Sequence, residues 1–90
     1  MELQEEKLSR AISAHSRRNI LRLLANKELT VKEIAQTTNQ SISLASRHLK
    51  LLYDLGFLNV KLQPPLKFYS LKIKEINELI TIYDKVINKL

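Results

Sequence analysis

The stretch Ser41-Ile-Ser-Leu-Ala-Ser-Arg-His-Leu-Lys-Leu-Leu-Tyr-Asp-Leu-Gly56 predicts a short helix with two unlike faces. Apolar residues recur at helical spacing on its inward face, at Ala45, Leu49, Leu52 and Leu55. The opposite face is polar and cationic and carries Ser43, Arg47 and Lys50. Such a face suits a helix that lies in the DNA major groove, where cationic side chains can pair with base edges.

A second short helix precedes this one at close range. Thr30-Val-Lys-Glu33 fits the capping box, in which a threonine oxygen and a glutamate carboxylate each accept a backbone N–H at the start of a helix. The predicted helix runs from Val31 to Thr38, and Asn39-Gln40 make the turn. Ser41 then caps the next helix, which ends at Gly56. The pair is typical of a helix-turn-helix motif, whose recognition helix covers residues 41–55.

The flanking sequence completes a winged helix. We expect a first helix over Leu3 to Ala14 and a second from an N-cap at Ser16 to about Asn26. Apolar alternation on both sides of Pro64-Pro65 predicts a β-hairpin over 58–71, with the prolines in its loop. A last helix begins at about Lys74. The predicted fold is mainly α with a small β-hairpin: a winged helix-turn-helix of about five helices and a two-stranded wing, in one domain over residues 1–90.

Charge is concentrated in the middle of the chain. The net charge is +6, and residues 16–28 and 57–72 each carry +3. Four basic residues accompany one acidic residue in the first of these segments, and three accompany none in the second. In the terminal segments the positive and negative charges nearly cancel. We therefore expect the middle of the chain to bind a polyanion and the terminal helices to contact a different kind of partner.

Composition excludes several other classes of protein. The absence of cysteine removes disulfides, thiolate metal sites and cysteine nucleophiles. No apolar run approaches the roughly 18 residues of a membrane span, and the acidic start Met1-Glu-Leu-Gln-Glu-Glu6 is unlike a signal peptide. We therefore expect a cytoplasmic protein without a membrane partner.

Three local segments, in the right order, make residues 10–72 resemble the ArsR-type winged-helix repressors. His15-Ser-Arg-Arg-Asn-Ile-Leu-Arg-Leu-Leu24 looks like the family's helix that opens with paired arginines. Glu28-Leu-Thr-Val-Lys-Glu-Ile-Ala35 looks like its first helix-turn-helix element, and Ser46-Arg-His-Leu-Lys-Leu-Leu52 is similar to its recognition-helix signature. The resemblance implies a homodimer, paired through its first and last helices, that binds operator DNA and releases it when an effector arrives.

The resemblance does not extend to metal sensing. Metal-sensing members place cysteines in the segment that corresponds to Leu29-Thr-Val-Lys32, and others use histidines and carboxylates of the last helix, whereas no histidine follows His48 here. No Ser/His/Asp arrangement or glycine-rich phosphate loop is present, so we expect no enzymatic activity, no metal and no cofactor.

Candidate DNA contacts lie at the start of the second helix, on the recognition helix and in the wing. Arg47 is the best candidate for a base contact, because its planar fork can engage guanine bidentately. Lys61 and Lys67 flank the wing and would reach the DNA backbone or the minor groove. The full predicted set is Arg17, Arg18, Ser41, Ser43, Leu44, Arg47, His48, Lys50, Lys61, Gln63 and Lys67.

Arg17 and Arg18 need compensation, because the helix macrodipole disfavours cations in a first turn. A DNA phosphate could supply it, and so could Glu5 or Glu6 of the first helix. Both alternatives remain open at this point.

The last helix carries an apolar stripe wider than one partner needs, since Leu79 and Val86 broaden it. We expect one side to pack on the winged-helix body and the other on a second subunit, with the first helix joining the interface. The dimerisation helices are placed at about 2–14 and 74–89. The predicted interface residues are Leu3, Leu8, Ile76, Leu79, Ile80, Tyr83, Val86, Ile87 and Leu90.

The sequence thus predicts a homodimeric regulator of transcription, with a repressor favoured, that binds double-stranded DNA at a pseudo-palindromic operator. The recognition helices would enter successive major grooves about 34 Å apart. The alternative is a winged helix that contacts protein in a transcription or replication assembly. Ile42 and Leu44 support that alternative, because they are more apolar than base readout requires.

Overall fold

A computed structural model describes residues 2–90 and contains five α-helices and one antiparallel β-hairpin. The predicted order, three helices, a recognition helix, a wing and a last helix, is confirmed. A single 3-10 turn, Leu24–Asn26, follows the second helix. The elements are α1 (Gln4–Ile12), α2 (His15–Leu23), α3 (Val31–Thr38), α4 (Ile42–Asp54), β1 (Leu58–Gln63), β2 (Leu66–Leu71) and α5 (Glu75–Asn88).

The first two helices are shorter than predicted. α1 ends at Ile12 instead of Ala14, and α2 begins at His15, so Ser16 lies inside the first turn and does not cap it. Ala14 takes the N-cap position with an extended backbone, and its carbonyl oxygen accepts the amides of residues 17 and 18 at 3.1 and 3.0 Å. Backbone hydrogen bonding at a tight two-residue connection therefore decides this start, without a side-chain cap.

The capping signals around the helix-turn-helix are confirmed. The Thr30 amide donates to the Glu33 carboxylate at 2.9 Å, and the Glu33 amide donates to the Thr30 hydroxyl at 3.3 Å. The Thr30 amide and the Thr30 hydroxyl, which also donates to the carboxylate at 3.0 Å, stabilise its ionised form and lower the pKa of Glu33. Ser41 caps α4 by accepting the Leu44 amide at 3.0 Å. Between the two helices, Asn39 takes the left-handed conformation at φ 55° and makes the turn.

Gly56 ends the recognition helix through its backbone conformation. Its φ is +95°, a region that side chains rarely adopt, although a Cβ there would meet nothing within 4 Å. The Phe57 amide donates to the Leu52 carbonyl at 3.0 Å, which closes the last turn and directs the chain into the wing.

The wing pairs β1 with β2 in a simple register that runs from Leu58 opposite Leu71 to Gln63 opposite Leu66. Pro64 and Pro65 form the turn, as the alternation predicts, and the peptide bond between them is cis. The sequence did not predict that Leu29 pairs with Tyr69 by two backbone hydrogen bonds of 3.0 and 2.8 Å. This bridge ties the base of the wing to the entry of α3.

All five helices and the wing contribute to one hydrophobic core. α5 packs across α2, and α3 packs against α4. Among residues 2–90 no polar side chain is fully buried, and none of the helices has the length and apolar character that crossing a bilayer requires. The largest side chains with at most 2% of their surface exposed are Ile20, Leu21, Leu24, Ile34, Leu49, Leu52, Leu71 and Ile80.

Candidate nucleic-acid interface

The recognition helix α4 presents its polar face to solvent. Ala45, Leu49 and Leu52 are buried and Leu55 is half-buried, as the spacing predicts. The side chains that point away from the core are exposed, namely Ser43, Arg47 and Lys50. The N-terminal end of the helix carries Ser41, whose hydroxyl is engaged as the cap, and Leu44, which is half-buried.

The two cations of this face differ in their surroundings. Lys50 forms an ion pair with Asp54 one turn away at 2.9 Å, which raises the pKa of Lys50. None of the ion pairs found among residues 2–90 includes Arg47. An exposed pair at this spacing contributes little and exchanges readily. Arg47 is therefore the cation of α4 whose guanidinium fork is free for a ligand.

His48 joins the start of α2 to the recognition helix. It is half-buried, and this burial lowers the pKa of His48, with further lowering by the positive charges of Arg17 and Arg47. The fold thus gathers three basic side chains from two helices at one edge of α4. The positive charges of Arg17 and Arg47 would attract a polyanion to this edge.

Arg17 and Arg18 are compensated in a way that neither sequence alternative foresaw. Arg17 donates to the Arg10 carbonyl through Nε at 3.0 Å and Nη2 at 2.6 Å, and Arg18 donates to the Ile12 carbonyl at 2.7 Å. Of the two alternatives left open, pairing with Glu5 or Glu6 is not observed among residues 2–90; the partners are carbonyl oxygens at the C-terminus of α1.

The two arginines also differ in what else they touch. The guanidinium of Arg18 lies 4.9 Å from the ring centre of Tyr83 on α5, a cation–π contact that keeps it inside the fold. Arg17 lies near His48 of α4, because its charge lowers the pKa of that histidine. Burial and the charge of Arg10 on α1 lower the pKa of Arg17 itself. Of the two predicted DNA contacts, Arg17 is the one beside the recognition helix.

The two lysines of the wing lie on opposite faces of the hairpin. Lys67 pairs with Leu62, and Lys61 pairs with Phe68, one position along the ladder, so their side chains point to opposite sides. Lys61 lies 3.6 Å from the Glu28 carboxylate. Lys67 faces α4 across a groove of about 510 Å³ that Lys50 and Tyr53 also line. Gln63 is exposed at the end of β1.

The residues predicted for a subunit interface divide into buried and exposed sets. Ile76 and Ile80 are 3% and 2% exposed, so they belong to the protomer core and have no surface to offer, which corrects this part of the predicted interface. Leu8 and Tyr83 are half-buried. The predicted set lacks Ile82, which is exposed and which helical spacing places beside Val86. The exposed members of the predicted set are Leu3, Leu79, Val86, Ile87 and Leu90.

Within residues 2–90 no three histidine, cysteine or acidic side chains are grouped so as to hold a metal ion. No charged side chain of residues 2–90 is fully buried, so the charged groups of the site keep contact with solvent. The arrangement suits electrostatic binding and hydrogen bonding to a large anion.

Comparisons with known proteins agree with this geometry. The family model for bacterial regulatory proteins of the arsR family matches residues 15–60, which is half of the chain. No curated protein matches the chain.

Solved structures share the complete fold. HlyU from Vibrio cholerae is 28% identical with a TM-score of 0.81, and the match covers 92% of this chain and 90% of HlyU. The homodimeric winged helix-turn-helix DNA-binding domain of Mb0332 from Mycobacterium bovis, a possible ArsR-family regulator, is 24% identical with a TM-score of 0.82, over 96% of this chain and 80% of that one. The transcriptional repressor BigR from Xylella fastidiosa is 20% identical with a TM-score of 0.82, over 89% and 82%. The chain therefore belongs to the arsR family of bacterial regulatory proteins and has the winged helix-turn-helix fold of DNA-binding transcription regulators.

Proposed function

We propose that this protein is a homodimeric repressor that binds a pseudo-palindromic operator in double-stranded DNA. The observation that carries the proposal is the outward face of α4, which is exposed and cationic and offers Arg47 without an ion-pair partner among residues 2–90. Arg47 reads a guanine in the major groove, and Ser43 and Leu44 contact neighbouring bases, Leu44 through a thymine methyl group. Ser41, at the N-terminus of α4, contacts a phosphate.

Backbone contacts come from the surroundings of α4. Arg17 lies near His48 on one flank of α4, and Lys50 lies on the other flank, which faces Lys67 across the groove. Lys61 and Gln63 extend the contacts along the wing. These residues supply most of the affinity and make it depend steeply on salt, because binding releases counterions from the DNA. Arg17 and Arg18 both donate to carbonyl oxygens of α1, and Arg18 ranks lowest among the proposed contacts because its guanidinium also lies over the ring of Tyr83 on α5.

A second subunit covers the outer face of α5 in this proposal. Four side chains one or two turns apart form an apolar strip there, which we call the α5 strip: Leu79, Ile82, Val86 and Leu90. They are 39%, 54%, 54% and 94% exposed, and Leu3 of α1 is 64% exposed. A chain of 90 residues that leaves this much apolar surface in water gains stability by burying it. The Mb0332 domain, which has the same fold, is homodimeric, and this supports a dimer here.

The proposal is tested first by titrating random-sequence duplex DNA with the protein at 50 and 200 mM salt. A regulator of this kind binds it and loses affinity by orders of magnitude at the higher salt. Genomic fragments retained by the protein then supply the operator, and sedimentation at micromolar concentration gives the mass. Absence of DNA binding at low salt, or a monomeric mass, would contradict the proposal. A reporter gene behind the recovered operator tests repression.

A protein-contact role is the second candidate, and the exposure of Ile42 favours it. Its side chain is 54% exposed at the end of α4 that would enter the groove first. A winged helix that docks on a protein would bury this residue and leave Arg47 without a base partner. Negligible binding of any duplex DNA at low salt, with the protein folded and dimeric, would favour this role over the regulator.

A further inference from the structure

The tip of the wing is apolar although it stands between lysines. We call residues 62–66 the wing tip: Leu62, Gln63, Pro64, Pro65 and Leu66. None of these side chains is charged, and the two leucines are 65% and 49% exposed. An ordinary solvated turn gains nothing from leucines on both sides of two prolines, because turns favour small polar residues. The tip therefore presents a compact apolar edge to whatever the wing meets.

The register of the hairpin distributes charge and leucine evenly over its two faces. On the face toward α4, Leu62 stands directly opposite Lys67. On the other face, Leu66 stands opposite Gln63, and Lys61 is the next outward residue of β1 on that side. Each face thus carries one leucine at the tip and one lysine beside or behind it.

This pattern matches the minor groove of DNA better than a single flat phosphate surface. The minor groove has a phosphate strand along each side, its walls are formed by the largely apolar deoxyribose rings, and its floor offers only a degenerate set of hydrogen-bonding groups. A ribbon inserted edgewise would bring Lys61 to one wall and Lys67 to the other. Leucine and proline are among the side chains that proteins insert between base steps from this groove.

Insertion requires the DNA to deform. The groove is about 6 Å wide in B-form DNA, and two paired strands about 4.8 Å apart with leucines on both faces do not fit without widening it. Widening and partial unstacking cost least at flexible pyrimidine–purine steps and most in stiff or G·C-rich sequence. The wing would consequently discriminate between sequences without a hydrogen bond to any base.

We propose that the wing tip is an apolar wedge for the minor groove and that it makes affinity depend on the deformability of the base pairs flanking the two recognition-helix sites. This inference rests on the proposed DNA binding and adds to it a second source of sequence preference. The residues that carry it are Leu62 and Leu66, with Lys61 and Lys67 holding the ribbon between the phosphate walls.

The test uses the full-length dimer and two versions of the recovered operator. Both keep the major-groove sites unchanged, and they differ only in the flanking pairs under the wing, which are TA-rich in one and G·C-rich in the other. The unaltered protein should bind the TA-rich version about tenfold more tightly. A third version with inosine–cytosine pairs in the flanks, which lacks the guanine amino group in the minor groove, should recover most of that difference.

Two wing variants separate the wedge from simple charge. Leu62→Ser with Leu66→Ser should reduce the flank preference to less than twofold and reduce DNA bending measured by energy transfer between end labels. Lys67→Ala, on the same hairpin, should weaken binding to both operators equally and leave the preference intact. Both leucines are exposed, so the double serine variant should keep the thermal midpoint of the unaltered protein.

The outcomes distinguish this inference from the function on which it depends. Equal affinity of the unaltered dimer for the two flanks, with tight operator binding, would overturn the wedge and leave the regulator standing. Unchanged flank preference in the double serine variant would also overturn it, because the preference would then arise without the two leucines. Failure of the unaltered protein to bind any duplex would overturn the proposed function itself.

Discussion

The recognition helix α4 and the last helix α5 are built alike and exposed differently. They have 13 and 14 residues, and each buries an apolar stripe in the same core. Outside that stripe, α4 presents Ser43 and Arg47 to solvent, whereas α5 presents the apolar strip that contains Ile82 and Val86. The amphipathic pattern therefore explains only why both helices pack against the hydrophobic core. The character of the second face indicates the partner, a polyanion for one helix and another apolar surface for the other.

The two helices are also held by different means. Ser41 and Gly56 define the ends of α4 through local hydrogen bonds and backbone conformation. α5 has no side-chain N-cap, and it is tied to α2 by Arg22, whose Nε donates to Asp84 at 2.9 Å. The ring of Tyr83 under Arg18 adds a second link between the same helices. The position of α5 thus depends on contacts made far away in sequence.

The largest effect is expected from charging the apolar face of α5. Ile82→Glu with Val86→Glu places two carboxylates in the α5 strip, so a second subunit could bind only by burying them unpaired. We expect a monomeric mass by sedimentation at micromolar concentration and about a hundredfold loss of operator affinity, because the two half-sites are no longer linked. Thr81→Glu, on the opposite side of the same helix, is the control and should stay dimeric. A dimeric double variant would show that the α5 strip is not the interface.

On α4, the sharpest variant is Arg47→Ala. Loss of a bidentate guanine contact should cost operator binding about tenfold or more, while binding to random DNA falls much less. Parallel titrations of both DNAs at one salt concentration measure this difference. Equal losses on the two DNAs would remove Arg47 from base readout and would make α4 a purely electrostatic surface.

Lys67→Ala should have a smaller and more uniform effect. A phosphate contact carries no sequence information, so operator and random DNA should lose affinity alike, and the salt slope of binding should fall by about one. Lys61→Ala should act less, because Lys61 already lies 3.6 Å from Glu28. A larger loss for the Lys61 variant would mean that the outer face of the wing is nearer to the DNA than the face toward α4.

The smallest effect concerns the attachment of α5. The hydrogen bond from Arg22, aided by the charges of Arg22 and Arg18, lowers the pKa of Asp84 below its ordinary value. A carboxyl group whose pKa is lowered by folding stabilises the native state above its unfolded pKa, and that contribution disappears as the pH falls through the folded value. Asp84→Asn should therefore lower the thermal midpoint slightly at pH 7, and the difference should shrink as the pH falls below about 4, the unfolded value, and vanish below the lowered pKa of Asp84.

The acid behaviour can be checked against a matched carboxylate in α3. The pKa of Glu33 is lowered in the same direction by the amide and hydroxyl of Thr30, so Glu33→Gln should show the same loss of its effect in acid. Only the Asp84 variant should also change the coupling of α5 to α2, measured by amide exchange in α5. A pH-independent effect of Asp84→Asn would argue against the ion pair.

Local sequence was sufficient for the parts of the fold that short-range bonds define. The Thr30 box, the Ser41 cap and the positive φ at Gly56 each involve residues within five positions of one another, so the letters alone identify them. The predicted N-cap of α2 at Ser16 is wrong, because a serine near a helix start is a common cap residue, whereas here the backbone carbonyl of Ala14 accepts the first hydrogen bonds.

By itself the sequence determined the order of the elements, the two-faced recognition helix, the wing and the basic middle of the chain, because these follow from periodicity, capping and composition. The tertiary structure decided which groups are available. It joined Arg17 and Arg18 to the carbonyl end of α1, placed Ile76 in the core, and set Lys61 and Lys67 on opposite faces of a hairpin bridged to Leu29. The physical reason is that exposure and partnership depend on which elements pack together, and packing joins residues that are distant in sequence.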